Sequence, residues 1–199
     1  MTPTLYIMIQ AFMTLLFATA LLHKLADVRQ FVGVLRDYRL VPQAIVKPAA
    51  YMVLLAEGGV VLLLIMRPIE GGMLAASLLA AYALGMGVNI LRGRTYIDCG
   101  CHWQLQGQLQ GQLQRQIQRR MQKRGAHTLS LNLILRNIGL ALLALILYAT
   151  PLYLTMTPPT GADYMLGVSA AVFFFTAYMV ADILIMQARA IRHYTQGAH

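Results

Sequence analysis

The stretch "KPAAYMVLLAEGGVVLLLIM" (residues 47–66) decides the fold. After its opening lysine, its only charge is Glu57, near the middle. A helix of about 20 predominantly apolar residues crosses the ~30 Å hydrocarbon layer of a bilayer. Four more runs of that length and character stand at 4–23, 71–91, 129–149 and 164–187. Composition agrees: 58% of the 199 residues are hydrophobic, 12% are charged, and mean hydropathy is +0.60. Soluble domains carry about 25% charged residues. Lipid offers the backbone no hydrogen-bond partner, so only helices and closed barrels span it. These runs are too long for barrel strands. The expectation is an all-α integral membrane protein, a polytopic bundle of about five transmembrane helices. It reads as a four-helix core plus one, forming a single membrane domain over 1–199. The opening "MTPT" lacks the basic region of a signal peptide, so the first run reads as a retained span despite "ATA" at 18–20.

The basic residues orient the bundle. Lys24, Arg29, Arg36, Arg39 and Lys47 fall between the first two runs. Arg92, Arg94, Arg115, Arg119, Arg120, Lys123 and Arg124 follow the third, Arg136 opens the fourth, and Arg189 and Arg192 follow the fifth. Of the 16 cations only Arg67 belongs to the opposite side. The positive-inside rule predicts an outside N-terminus and a cytoplasmic C-terminus. The net charge of +9 is then a topology signal and a coating for anionic lipid. No aromatic-basic motif supports a nucleic-acid partner.

Between the first two runs, Leu25, Val28, Phe31, Val32 and Leu35 recur at helical spacing, which predicts a short amphipathic interfacial helix ending near "LVP". "RPIEGG" (67–72) reads as a tight hairpin and "TPLYLTMTPPTGAD" (150–163) as a Pro-rich loop, both external. The segment "QLQGQLQGQLQRQIQRRMQKRG" (104–125) is a Gln-rich low-complexity insert in the third loop. It reads either as a cationic surface helix or as a disordered, loosely adsorbed expansion.

The only two cysteines, Cys99 and Cys101, flank Gly100 just past the third run. A disulfide across one intervening residue closes a small ring with little dihedral freedom, and departures from preferred geometry make such a bond reducible. Gly100 supplies the backbone freedom for the turn. Arg92 and Arg94 favour a thiolate, while Asp98 opposes that effect or handles protons. These residues suit thiol–disulfide exchange better than zinc. His102 and His127 are the only nearby further ligands, and that spacing matches no standard pattern, so no metal is expected. Inert cysteines remain the bland alternative. The charge rule puts the pair at the cytoplasmic face, where thiols are kept reduced.

An ionisable group inside a span marks a functional site and calls for a partner. For Glu57 the best candidate cation is Arg136; the alternative is a protonated or purely architectural carboxylate. Asn89 and Asn137 read as interhelical hydrogen-bonding glue. Asp182, late in the fifth run, reads as an interfacial residue, and Phe173–Phe175 as lipid-facing or packing residues.

With these residues in view, the chain resembles the methylamine-utilisation protein MauE family, within the wider group of DoxX-like membrane bundles. The resemblance rests on "HKLADVRQFVGVLRDYRLVP" after the first run, Glu57, "YALGMGVNILRGRTYIDCGC" leaving the third run, and "LSLNLILRN" opening the fourth. It covers most of residues 15–145, and N-x-x-RGR-x-x-IDCGC is its most specific part. The family usually joins the Cys pair to the next span by a short connector, where this chain carries the Gln-rich insert. The resemblance implies a role in maturing the disulfide-rich small subunit of periplasmic methylamine dehydrogenase, beside a thioredoxin-like partner. Cys99 and Cys101 would then be the redox pair. Membrane thiol oxidoreductases that pass electrons to quinone suggest quinone as a cofactor, by fold-level analogy alone.

The implied client is exported, whereas the charge rule puts the pair inside. Either electrons cross the membrane, cytoplasmic thiols feed the pair, or the charge rule misleads for this chain. Two readings compete with a redox protein. One is a non-catalytic scaffold that docks the thioredoxin-like partner; the other is a quinone- or small-molecule-binding bundle with its pocket around Glu57.

Overall fold

A computed structural model describes residues 2–93, 131–153 and 158–196. Six α-helices account for nearly all of them: α1 (Pro3–Ala26), α2 (Val28–Tyr38), α3 (Val46–Met66), α4 (Pro68–Leu91), α5 (Leu131–Tyr153) and α6 (Gly161–Gln196). No strand occurs among the described residues. All except α2 belong to segments long and apolar enough to cross a membrane, and they match the five apolar runs. Arg94, Asp98, Cys99, Gly100, Cys101 and the insert at 104–125 lie outside the described residues.

Local chemistry explains the boundaries. Pro3 and Pro68 open α1 and α4, where the missing N–H costs nothing and the fixed φ suits the helix. Asp27 starts α2 by accepting the Gln30 N–H at 2.9 Å. Arg39 ends it in the left-handed region at φ 48°. As the amphipathic pattern requires, Val32 of α2 is buried, with Val28, Phe31 and Leu35 packed against Val46 and Ala50 of α3.

The hairpin expected over 67–72 is shorter than the sequence reading: only Arg67 separates α3 from α4, and Glu70, Gly71 and Gly72 are already helical. A methyl group at Gly71 would stand 2.5 Å from the Leu64 backbone nitrogen, so glycine is what lets α4 turn back this tightly. Likewise the expected loop at 150–163 is partly helix, since α5 runs on to Tyr153 and α6 begins at Gly161.

The core joins α1, α3, α4 and α5 through Met13, Phe17, Val60, Leu64, Ala75, Leu79, Ala144 and Leu147. Small residues bring backbones together, the usual basis of packing in lipid. Gly72, for instance, sits where a Cβ would be 2.8 Å from the Ala144 carbonyl oxygen. Helix α6 packs chiefly on α1, with Gly167 against Ile7 and Phe12 edge-on to Phe175 and Tyr178. The bundle is a four-helix core plus one. Large exposed apolar side chains such as Leu55, Leu62, Leu84, Phe173 and Phe174 line its outside, as a lipid-facing surface requires.

Candidate functional site: a buried carboxylate with a cavity beside it

Glu57 lies midway along α3 and is 1% exposed. Its oxygen Oε1 meets the ammonium of Lys24, from the last turn of α1, in a buried ion pair. The Tyr82 hydroxyl of α4 donates to the same oxygen at 2.7 Å. The Tyr82 ring serves a second purpose, with the Lys24 nitrogen 5.2 Å from its centroid. On the other side the Phe31 ring of α2 stands 5.3 Å from that nitrogen. Removing two charges from water is expensive even when they are paired. Here the cost is offset by the Tyr82 hydrogen bond and by two aromatic faces, each favouring the cation. The second oxygen of Glu57, Oε2, is buried with no hydrogen-bond partner.

A cavity of about 80 Å³ adjoins this group, walled by all five long helices. Its polar lining includes His23, Lys24, Glu57, Tyr82, Asn137 and Asp182. Across it, Arg136 of α5 donates to Asp182 of α6 at 3.0 Å, both about a quarter exposed. The cavity belongs to the end of the bundle where α1 and α4 finish and α5 begins, the end from which the chain leaves toward the Cys pair.

Several expectations change here. The sequence reading pairs Glu57 with Arg136; in the structure Lys24 is its ion-pair partner and Arg136 binds Asp182. Both cations line one cavity, with the partners exchanged relative to that reading. Asp182, read as an interfacial residue, is part of the same wall. Of the two asparagines read as glue, each donates its amide N–H at 3.0 Å to a carbonyl of its own helix, Asn89 to Gly85 and Asn137 to Leu133. Asn89 Oδ1 is buried without a partner. Arg92 caps α4. Sequence reasoning missed Lys24 and Tyr82. Neither carries a distinguishing signal: Lys24 follows its apolar run as a loop lysine would, and Tyr82 is one tyrosine among ten.

A polytopic helical bundle with a carboxylate held inside it fits the resemblance drawn from the motifs, and comparison with known proteins decides the matter. The family profile of methylamine utilisation protein MauE matches residues 2–150. The chain belongs to the MauE family. The MauE of Methylophilus methylotrophus is 27% identical over 92% of this chain and 87% of its own length. That of Paracoccus denitrificans is 38% identical over 95 residues, covering 47% of this chain. That of Methylorubrum extorquens is 33% identical over 101 residues. The chain spans about half the length of the latter two, 51% and 54% respectively. No solved structure matches. This MauE-family chain has five helices long and apolar enough to cross a membrane, and both cysteines lie inside the stretch that the family profile covers.

Proposed function

We propose that the protein is a bacterial inner-membrane thiol–disulfide redox factor that matures an exported, disulfide-rich enzyme of methylamine use, the methylamine dehydrogenase small subunit. A thioredoxin-like protein is its partner. The observation that carries the reading is the Cys99-Gly100-Cys101 motif within the family match, set directly beyond α4 in a chain with no other cysteine. A thiolate of the pair attacks a partner disulfide, forming a mixed disulfide and releasing one partner thiolate. The second cysteine then displaces the other partner sulfur. The pair ends as a disulfide and the partner as a dithiol; the reverse sequence returns the oxidising equivalents. Arg92 and Arg94 bias the pair toward thiolate, and Asp98 takes up or delivers the proton. The distribution of lysine and arginine supports an outside N-terminus and a cytoplasmic C-terminus.

The test is trapping. With Cys99 or Cys101 singly replaced by serine, the remaining thiol should hold the thioredoxin-like partner as a mixed disulfide that is sensitive to reductant. Impermeant thiol labelling of intact cells against inverted vesicles locates the pair. If the double variant Cys99→Ser/Cys101→Ser matures the client as well as the unmodified chain, the protein is a docking scaffold instead.

A further inference from the structure

The two oxygens of Glu57 have unlike surroundings. Oε1 receives both the Lys24 ammonium and the Tyr82 hydroxyl, while Oε2, equally buried, receives no donor. A carboxylate oxygen without a donor inside a membrane span is costly, so whatever completes it brings an O–H or N–H group. The charges argue that this group is neutral. Lys24 balances Glu57 and Arg136 balances Asp182, and the other titratable groups of the wall are His23, Tyr82 and Tyr178. These two ion pairs are each balanced, so neither calls for a free counter-ion. The rest of the wall is apolar and aromatic, including Phe17, Leu79, Leu140, Phe175 and Met179.

Helices α5 and α6 both line the cavity, yet each packs mainly on another helix, α5 on α4 and α6 on α1. The Arg136–Asp182 ion pair spans the seam between them. Lipid-facing side chains, Leu135 and Leu142 on α5 and Phe174 and Ile183 on α6, are exposed on the same two helices. We propose that the cavity binds a neutral amphiphile from the bilayer headed by a phenol- or hydroquinone-type hydroxyl. Its O–H donates to Glu57 Oε2 and its apolar body enters between α5 and α6. A few waters would also fit about 80 Å³, but they have no use for an aromatic wall. The site does not depend on the cysteines.

The experiment compares 4-heptylphenol with 4-heptylanisole, the same body with its hydroxyl methylated. Binding to the full chain in nanodiscs is measured by calorimetry against empty discs. The phenol should bind saturably, one per chain, and about tenfold more tightly than the ether, the difference expected for a hydrogen bond to a charged acceptor. The preference should vanish in Lys24→Met/Glu57→Gln, which strands no buried charge. It should persist in Cys99→Ser/Cys101→Ser, so that failure of this site and failure of the redox reading are distinguishable. Equal binding of phenol and ether by the unmodified chain, or uptake no greater than by empty discs, would overturn the proposal without recourse to any variant. So would loss of binding on removing the cysteines.

Discussion

The two ends of the bundle are built on opposite principles. At the end where α3 turns into α4 at Arg67, glycines bring backbones into contact: Gly71 on Leu64, Gly72 on Ala144 and Gly167 on Ile7. The ions there, Arg67 and Glu70, sit outside, 70% and 54% exposed. At the other end the helices stand apart around a cavity, and the ions are inside, with Lys24 and Glu57 only 4% and 1% exposed. One end derives its stability from close contact and gives charge to solvent. The other gives up packing to hold a charged pair inside.

Breaking the buried pair should have the largest effect. Lys24→Ala or Glu57→Ala strands one charge in the interior, at a cost of about 3–5 kcal/mol. The loss should appear as a large drop in thermal or denaturant midpoint for protein in detergent or nanodiscs. Lys24→Met/Glu57→Leu removes both charges and should recover most of the loss. A double variant no more stable than the singles would show that the pair is not an independent unit.

The glycine contacts come next, and α4 carries its own control. Gly72→Ala puts a methyl 2.8 Å from the Ala144 carbonyl and should destabilise by about 1–3 kcal/mol, the usual range for overpacking. Gly87→Ala, on the same helix toward the cavity end, meets nothing closer than Ile134 at 3.9 Å. That change should be neutral or stabilise by up to ~1 kcal/mol through helix propensity. Similar losses at both positions would erase the contrast between the ends.

The contrast also explains what was legible in the sequence. Each span is an unbroken apolar run, so length and hydropathy suffice to find it, and Glu57 stands out because a carboxylate within such a run is rare. The partner of Glu57 was not legible. Lys24 is 33 residues away and follows the apolar stretch as any loop lysine would; only the packing of α1 on α3 turns it inward. Arg136 is more conspicuous, because it lies inside a run, but its reach is spent on Asp182. The asparagines illustrate a different ambiguity: an amide in a span can bind across helices or back to its own carbonyl ladder, and composition does not choose. The hairpin at Arg67 was overdrawn because Pro, Glu and two glycines resemble a turn, whereas here they begin a helix and allow its close approach.

The Arg136–Asp182 pair at the cavity end, about a quarter exposed, gives an intermediate case. Arg136→Gln or Asp182→Asn leaves one charge of a partly buried pair unmatched and should cost about 1–3 kcal/mol, less than stranding Lys24 or Glu57, because the replacement amide keeps a hydrogen bond. Because this pair spans the seam of the cavity, either change should also speed entry and release of the heptylphenol probe.

Arg67→Ala should have the smallest effect. The Arg67–Glu70 contact is 3.4 Å long, three residues apart on the chain and mostly in solvent, so its loss should cost at most ~0.5 kcal/mol. Yet Arg67 is the one lysine or arginine at its end of the bundle among the described residues, and by the sequence count its removal makes the charge asymmetry complete. If the asymmetry orients the chain, Arg67→Ala should leave topology unchanged in the labelling experiment. Moving charge the other way, with Lys or Arg added beside Arg67 and taken from the α1–α2 segment, should produce inverted molecules. Stability and orientation then separate at a single residue: the former barely registers Arg67, while the latter registers how much charge stands beside it.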